Sequence, residues 1–76
     1  MYHTYIIYSE TAGIYYTGST SNLEDRLLRH NSNRNKYTKG KGPWKLVKSY
    51  EFSTRSEAVQ LEMKIKKRGA GRFLQE

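Results

Sequence analysis

Two tyrosines and an arginine are the residues of this chain whose spacing points most directly to chemistry. Tyr5 and Tyr16 lie eleven residues apart, and Arg26 follows ten residues later. A guanidinium is planar, stays charged at any relevant pH and can bind two oxygens of one phosphate. Hydrolysis of a phosphodiester needs such a cation, a nucleophile and a proton for the leaving oxygen. The three residues are therefore suited to chemistry on phosphate.

Each of these residues also has a purely structural interpretation. Tyrosine is common in strands, and a helix-surface arginine such as Arg26 often pairs with a carboxylate. A free tyrosine has a pKa near 10 and is a poor base at neutral pH, unless a neighbouring positive charge lowers that pKa. A catalytic role for Tyr5 or Tyr16 therefore depends on what surrounds them.

The two tyrosines are predicted to lie on one β-hairpin. Residues 3–9 and 14–19 are rich in Tyr, Ile and Thr, and the short polar segment between them ends in Gly13, which can take a positive φ. If Ser9 pairs with Ile14, both tyrosines lie on the same side of the sheet, whereas a slip of one residue puts them on opposite faces. The register therefore decides whether a site can form.

A capping box formed by Ser21 and Glu24 predicts a first helix that begins at Asn22 and ends near His30. Its buried stripe is predicted to consist of Leu23, Leu27 and Leu28. This leaves Arg26 and His30 as an i, i+4 pair at the margin of the stripe, within reach of the strands.

The rest of the chain predicts a loop, a strand and a second helix. Residues 31–42 are polar and basic and predict an exposed, mobile loop. Residues 44–52 alternate as a third strand, with Lys48 as the exception, and one face is predicted to carry Trp44, Leu46, Tyr50 and Phe52. A second capping box, residues 54–57, opens a helix that continues through Lys67 to a C-cap at Gly69.

The predicted order ββαβα gives an α+β domain in which a small three-stranded antiparallel sheet is covered by helices. We expect this domain to comprise residues 1–69 and to be followed by a short tail, residues 70–76.

Composition limits the partners. The chain of 76 residues has no cysteine and two histidines, which excludes thiolate metal sites, so a bound metal is expected to be a hard ion. No apolar run approaches the roughly 20 residues of a membrane span, and we expect a cytoplasmic protein without a membrane partner. A formal charge of +7 favours nucleic acid as partner. The alternatives are a charge that serves only solubility, and a ribosome-associated or non-specific binder.

The segments Thr4-Tyr5-Ile6, Tyr16-Thr17-Gly18-Ser19 and Arg26-Leu27-Leu28-Arg29-His30 together resemble the GIY-YIG nuclease family, in particular the N-terminal domain of the excinuclease C protein and the catalytic domain of phage homing endonucleases. The literal Gly13-Ile14-Tyr15 runs directly into the second triplet and is rejected, because the family places a longer spacer between its triplets. Thr4 and Thr17 depart from the family's glycine and its isoleucine or valine.

The resemblance implies a role for five residues. Tyr5 would be the general base, Tyr16 would hydrogen-bond in the same network, and Arg26 would bind the scissile phosphate. His30 would relay a proton or touch phosphate, although a helix C-terminal histidine favoured by the dipole is the alternative. Glu62 would hold Mg²⁺ or Mn²⁺, and its alternative is a solvated glutamate paired four residues along the second helix.

Further residues are expected to contact the phosphates of the substrate without reading its sequence. This predicted substrate-binding set consists of Gly18, Arg34, Lys39, Lys41, Lys64 and Lys67. The resemblance thus implies a metal-dependent DNA endonuclease, with a role in DNA repair or recombination. A non-catalytic nucleic-acid-binding module on the same fold, and a protein-interaction adaptor, are the alternatives. The sequence does not distinguish duplex, branched or damaged DNA from RNA.

Overall fold

The computed structural model describes residues 1–32 and 36–76. The elements in chain order are β1 (Tyr2–Ser9), β2 (Ile14–Thr20), α1 (Leu23–Asn31), β3 (Trp44–Phe52), α2 (Arg55–Arg68) and α3 (Ala70–Leu74). The predicted α+β class and the order ββαβα are confirmed, and the predicted tail contains the short helix α3. Within the described ranges, no helix is long and apolar enough to cross a membrane.

The hairpin has the predicted register. β1 is the central strand of a three-stranded antiparallel sheet with the order β2-β1-β3. Ser9 pairs with Ile14 and Ile7 pairs with Tyr16. Gly13 has a φ of 68°, and its amide donates to the Ser9 carbonyl at 2.7 Å. Tyr5 and Tyr16 therefore lie on the same side of the sheet, as the site requires.

A β-bulge in β3 overturns the predicted strand face. Ile6 pairs with Lys48 but Ile7 pairs with Leu46, so Val47 is an extra residue in β3. The extra residue reverses the alternation of side chains along the strand. Trp44 and Leu46 consequently share a face with Ile7, whereas Tyr50 and Phe52 share the opposite face with Thr4 and Tyr2. The prediction that all four lie on one face was wrong, and Lys48, the exception to the alternation, lies next to the bulge.

One face of the sheet packs against α1. Tyr5, Ile7 and Trp44 form a buried cluster there, against which the half-buried Leu23 and Leu27 pack. Leu28, which was predicted to belong to this stripe, is 60% exposed. The leucines of α1 therefore cover the tyrosine side of the sheet with a stripe narrower than predicted.

The opposite face packs against α2. Thr4 and Ile6 of β1 and Ala58 and Ile65 of α2 are all fully buried or nearly so. The Thr4 hydroxyl donates to the Ala58 carbonyl at 2.6 Å, which satisfies the hydroxyl inside the core. β1 is thus covered on both sides, and the side chains of α1 and α2 can meet only around the edges of the sheet.

The loop before β3 is held to the body of the protein. The side chain of Asn31 donates to the Trp44 carbonyl at 3.2 Å and accepts from the Trp44 amide at 2.6 Å. The Trp44 indole donates to the Thr38 carbonyl at 3.2 Å, and the Ser9 hydroxyl donates to the Lys41 carbonyl. Thr38 is fully buried. The prediction of an exposed loop was therefore wrong for Thr38, whereas Lys39 and Lys41 are exposed as predicted.

The N-cap of α1 is Asn22 and not Ser21. The Asn22 side chain accepts from the Asp25 amide at 3.0 Å, so the predicted box of Ser21 and Glu24 was wrong by one residue. The second predicted cap is confirmed, because the Thr54 hydroxyl accepts from the Glu57 amide at 3.3 Å. α2 ends as predicted at Gly69, which has a φ of 92°.

Replacing the two caps by alanine should destabilise the fold, whereas replacing Ser21 should not. Asn22→Ala and Thr54→Ala each leave a helix-terminal amide without its side-chain partner, and each should lower the free energy of unfolding by about 1 kcal/mol. Ser21→Ala is the matched control and should change it by less than about 0.5 kcal/mol. Urea unfolding measures all three. A larger loss in Ser21→Ala than in Asn22→Ala would show that the cap is assigned to the wrong residue.

Candidate active site

Tyr5 lies at the centre of a buried polar network on the α1 side of the sheet. Only 1% of Tyr5 is exposed, and its hydroxyl lies 2.9 Å from Nε2 of His30. The Arg26 side chain lies close enough to the Tyr5 hydroxyl for its charge to act on that group. Tyr16 is next to them, with its ring 5.0 Å from the His30 ring between centroids. Four of the predicted site residues are therefore brought together.

Gly18 is the residue on β2 that faces Tyr5. A Cβ atom at this position would lie 2.5 Å from the Tyr5 hydroxyl oxygen and 2.8 Å from the ring carbon that bears it. Both distances are well inside van der Waals contact. The sequence placed Gly18 in the substrate-binding set, whereas in the structure the space beside it is taken by the Tyr5 ring.

The sequence suggested that His30 lies at the margin of the helix stripe. In the structure His30 is fully buried. Its Nδ1 atom lies 2.8 Å from the Thr38 hydroxyl, so both ring nitrogens have a partner. A neutral imidazole donates from one nitrogen and accepts at the other, which suits two hydroxyl partners. Sequence reasoning missed Thr38, because nothing distinguishes it from the other polar residues of its loop.

Burial controls the electrostatics of the network. Burial lowers the pKa of His30, and the positive charge of Arg26 lowers it further. Burial also raises the pKa of Tyr5, and Tyr16 and Glu62 add to that increase. Arg26 acts in the opposite direction, as the sequence suggested, but burial outweighs it. Both Tyr5 with its proton and neutral His30 are therefore the stable forms near neutral pH.

Arg26 is half-buried on α1 and is available to an anion. None of the carboxylates in the described ranges forms an ion pair with it. The alternative role of Arg26, as one half of a surface ion pair, is therefore not supported, because none of the ion pairs in the described ranges includes it. The guanidinium has five hydrogen-bond donors with which it can bind an anion.

Glu62 reaches the network from α2, and its charge contributes to the raised pKa of Tyr5. Its carboxylate accepts from the Ser19 hydroxyl at 2.6 Å and pairs with the Lys66 ammonium at 2.8 Å. That ammonium also lies 5.9 Å from the centre of the Tyr16 ring. The ion pair within the helix, which was the alternative to a metal site, is thus present.

The residues around Glu62 can be compared with the needs of a metal ion. The described residues contain no cluster of three or more His, Asp or Glu side chains that could hold one. Mg²⁺ needs only one or two carboxylates when water and phosphate supply its other ligands. The Lys66 side chain is half exposed and can turn away into solvent. Glu62 therefore fits a magnesium ion that is bound jointly with a phosphate.

The predicted phosphate-binding lysines do not join this site. Lys39 and Lys41 are exposed in the loop before β3. Lys64 and Lys67 are exposed on α2, and Lys64 lies on the opposite side of that helix from Glu62 because two residues correspond to about 200° of rotation. Arg34 lies outside the described residues. A role for these side chains in binding nucleic acid stays a prediction.

Known proteins are similar in sequence to most of this chain. A sequence model of the GIY-YIG catalytic domain matches residues 1–71. The UPF0213 protein VNG_2274C of Halobacterium salinarum is 39% identical over 67 residues, which cover 87% of this chain and 86% of that protein. The UPF0213 protein BH0048 of Halalkalibacterium halodurans is 38% identical over 55 residues, covering 71% of this chain. The match spans 58% of that relative's length.

A solved structure is similar to this fold. The solution NMR structure of the UPF0213 protein BH0048 from Bacillus halodurans superposes with a TM-score of 0.60 at 32% sequence identity. The similarity covers 99% of this chain and 81% of that one. The resemblance suggested by the tyrosine spacing is thereby confirmed.

Gly18→Ala should displace Tyr5 and destabilise the protein. The added methyl group has no space beside the Tyr5 hydroxyl, and overpacking of this kind costs about 1–3 kcal/mol. Gly71→Ala is the control, because the new methyl group would meet only the exposed ring of Tyr15, at 3.3 Å. Thermal unfolding of both variants measures the difference. Equal melting temperatures for Gly18→Ala and the wild type would contradict the packing described here.

Stability should fall as the solution becomes mildly acidic. Burial lowers the pKa of folded His30, whereas in the unfolded chain that pKa is about 6.5. Below about pH 6.5 the unfolded chain therefore takes up a proton that the folded protein does not, and the free energy of unfolding decreases until the folded pKa is passed. Urea unfolding as a function of pH measures this decrease.

The matched variants for this pH dependence are His30→Gln and His3→Gln. His30→Gln removes the buried group and should flatten the dependence, even though its absolute stability is lower. His3→Gln changes the other histidine, which pairs with Glu51 on the sheet at 3.3 Å, and should keep the decrease caused by His30. The same pH dependence in His30→Gln as in the wild type would assign the effect to other groups.

Proposed function

The chain belongs to the GIY-YIG family of catalytic domains, a nuclease superfamily, and on that premise we propose that it is a metal-dependent DNA endonuclease. The observation that carries the proposal is the hydrogen bond between the Tyr5 hydroxyl and His30, at a place where the charges of Arg26 and Glu62 both act on the pKa of Tyr5. A proton acceptor, a phosphate-binding cation and a carboxylate for a metal are thus within one site. These are the groups that phosphodiester hydrolysis needs.

Arg26 is the phosphate-binding group in this proposal. Its guanidinium lies close to Tyr5 and has donors for the oxygens of a phosphate. A cation fixed in place before the reaction stabilises the charge that develops on those oxygens without having to reorganise. A phosphate bound at Arg26 would therefore lie near the proposed base, Tyr5.

Tyr5 removes a proton from the attacking water only together with His30. Its raised pKa keeps the phenol protonated, so the phenolate is not available beforehand. When the phenol oxygen accepts the proton of water, its own proton passes to Nε2 of His30, 2.9 Å away. The lowered pKa of His30 keeps the ring neutral, and the Thr38 hydroxyl, 2.8 Å from Nδ1, is able to accept the Nδ1 proton in the tautomer that leaves Nε2 as the acceptor. Solvent water protonates the leaving oxygen.

Glu62 would hold the divalent cation, which supplies charge stabilisation on the phosphate when it is bound. For this to happen, Lys66 must leave the carboxylate oxygen with which it pairs. The Ser19 hydroxyl holds the other oxygen and fixes the orientation of the carboxylate. We expect Mg²⁺ or Mn²⁺, since the donor is a hard oxygen.

One observation favours a second candidate function. Both oxygens of Glu62 have partners within the protein, and the Lys66 ammonium lies where a cation would bind. If that ion pair persists, the domain would bind nucleic acid through its charge of +7 without cutting it. The similarity to the excinuclease C protein suggests DNA as the ligand in either case, and repair or recombination as the setting.

Cleavage of labelled linear and branched DNA with and without Mg²⁺ tests the proposal. Arg26→Ala and Glu62→Gln should each lower the rate by a factor on the order of 10²–10³, because each removes a group that stabilises the reacting phosphate. Both residues lie outside the apolar core, so the free energy of unfolding should change by only about 0.5 kcal/mol. A wild type that binds but cuts none of these substrates would favour the non-catalytic module.

Tyr5→Phe should impair cleavage by removing only the hydroxyl. It also leaves Nε2 of His30 buried without a partner, which costs about 1–3 kcal/mol, so rates must be measured well below the melting temperature. Tyr50→Phe is the control, because Tyr50 lies on the opposite face and packs edge-on against Phe73. Equal loss of activity in Tyr50→Phe and Tyr5→Phe would remove the support for Tyr5 as the base.

A further inference from the structure

A polar pocket with the character of an anion-binding site lies at the end of the sheet where β1 begins and β2 ends. The pocket has a volume of about 250 Å³ and contains two arginines, Arg26 from α1 and Arg55 from the start of α2. Its other polar side chains all carry a hydroxyl group: Tyr2, Ser19, Thr20 and Ser21. Of the described residues that line the pocket, none is acidic.

The two arginines lack negative partners. Neither Arg26 nor Arg55 forms an ion pair with any carboxylate in the described part of the chain. The pocket therefore combines two positive charges with hydroxyl donors and has no charge of its own to balance them. A phosphate oxygen is the acceptor that such a set of donors recognises best.

The position of Arg55 supports this assignment. It is the first residue of α2, a helix of 14 residues, and the N-terminal end of a helix disfavours a positive charge. The favourable charge in the first turn is supplied by Glu57. An anion in the pocket would offset the repulsion between Arg55 and the helix end.

The pocket adjoins the candidate active site through two of its lining residues. Ser19 donates its hydroxyl proton to Glu62, and Arg26 lies close enough to Tyr5 for its charge to act on the Tyr5 pKa. A strand whose scissile phosphate binds at Arg26 would therefore pass the mouth of this pocket. We propose that the pocket binds the neighbouring phosphate of the same nucleic-acid strand through Arg55. This inference rests on the proposed function for the identity of the strand.

Thr20 and Ser21 differ in what they can offer to the ligand. The Thr20 hydroxyl donates to the Asn22 carbonyl at 3.2 Å and accepts from the Asn22 amide at 3.0 Å, so it shapes the turn before α1. Ser21 is exposed, and its hydroxyl has no hydrogen-bond partner within the described ranges. Ser21 is therefore the hydroxyl that can turn toward a phosphate beside Arg55.

The test compares duplex DNA binding by the wild type, Arg55→Ala, Arg55→Lys and Lys45→Ala, measured by fluorescence anisotropy without divalent cations over a range of salt. Arg55→Ala should weaken binding about tenfold at low salt, the loss of one charged hydrogen-bonding contact. The slope of log K against log salt should become shallower by about 0.9, the contribution of one phosphate. Arg55→Lys should restore the slope but not the full affinity, since lysine lacks the fork of donors.

Lys45→Ala is the control for net charge. It also removes one positive charge, but Lys45 pairs with Tyr8 near the hairpin end of β1, far along the strand from Tyr2 at the pocket. Its slope should equal that of the wild type. If Arg55→Ala behaves like Lys45→Ala, the pocket is not a phosphate site and the inference is overturned, whether or not the wild type cuts DNA.

Two further measurements separate this inference from the proposed function. Inorganic phosphate alone should shift the backbone NMR signals of Ser21 and Arg55 in the wild type. If phosphate does so while the Arg55→Ala salt slope on DNA stays at the wild-type value, the pocket takes free phosphate and the inference fails. If DNA is cut, Arg55→Ala should raise KM with kcat unchanged. If the slope falls but no DNA is cut, the pocket stands and the nuclease proposal fails.

Discussion

The hydrogen bond between the Tyr5 hydroxyl and His30 is the contact on which the rest of the site depends. It joins the central strand to α1 inside the core, where a polar group without a partner would be costly. Gly18 leaves space for the Tyr5 ring, and the Thr38 hydroxyl is the hydrogen-bond partner of the second ring nitrogen of His30. A strand, a helix and a loop are therefore all positioned by one pair of side chains.

The sequence predicted the parts of the fold that depend on local pattern. The hairpin followed from the residue types of its strands and from Gly13, and the second helix followed from Thr54 and Gly69. The bulge at Val47 was not predictable in the same way, because an extra residue in a strand is defined only by its partner strand. The same holds for Thr38, whose burial arises from Trp44 and His30 folding over it.

The candidate site was predicted from spacing and resemblance, but its electrostatics were not. Residue types suggested that Arg26 would lower the pKa of Tyr5, and the sign of that interaction is as suggested. The net direction of the Tyr5 pKa shift is decided by burial, which the residue types alone do not reveal. In this small domain the polar atoms at the centre are almost all paired, with His3 Nδ1 as the exception among the described residues. The network therefore favours one arrangement of the core.

The bulge in β3 also determines how the two layers of this protein share a single strand. Before Val47 the strand contributes Trp44 to the tyrosine side, and after it the strand contributes Tyr50 to the side of α2 and α3. Without the additional residue, side chains would alternate regularly along the whole strand, and Trp44 would lie on the α2 side of the sheet. Its indole could then no longer donate to the Thr38 carbonyl. The single extra residue in β3 thus allows one strand to contribute aromatic side chains to both faces of the sheet.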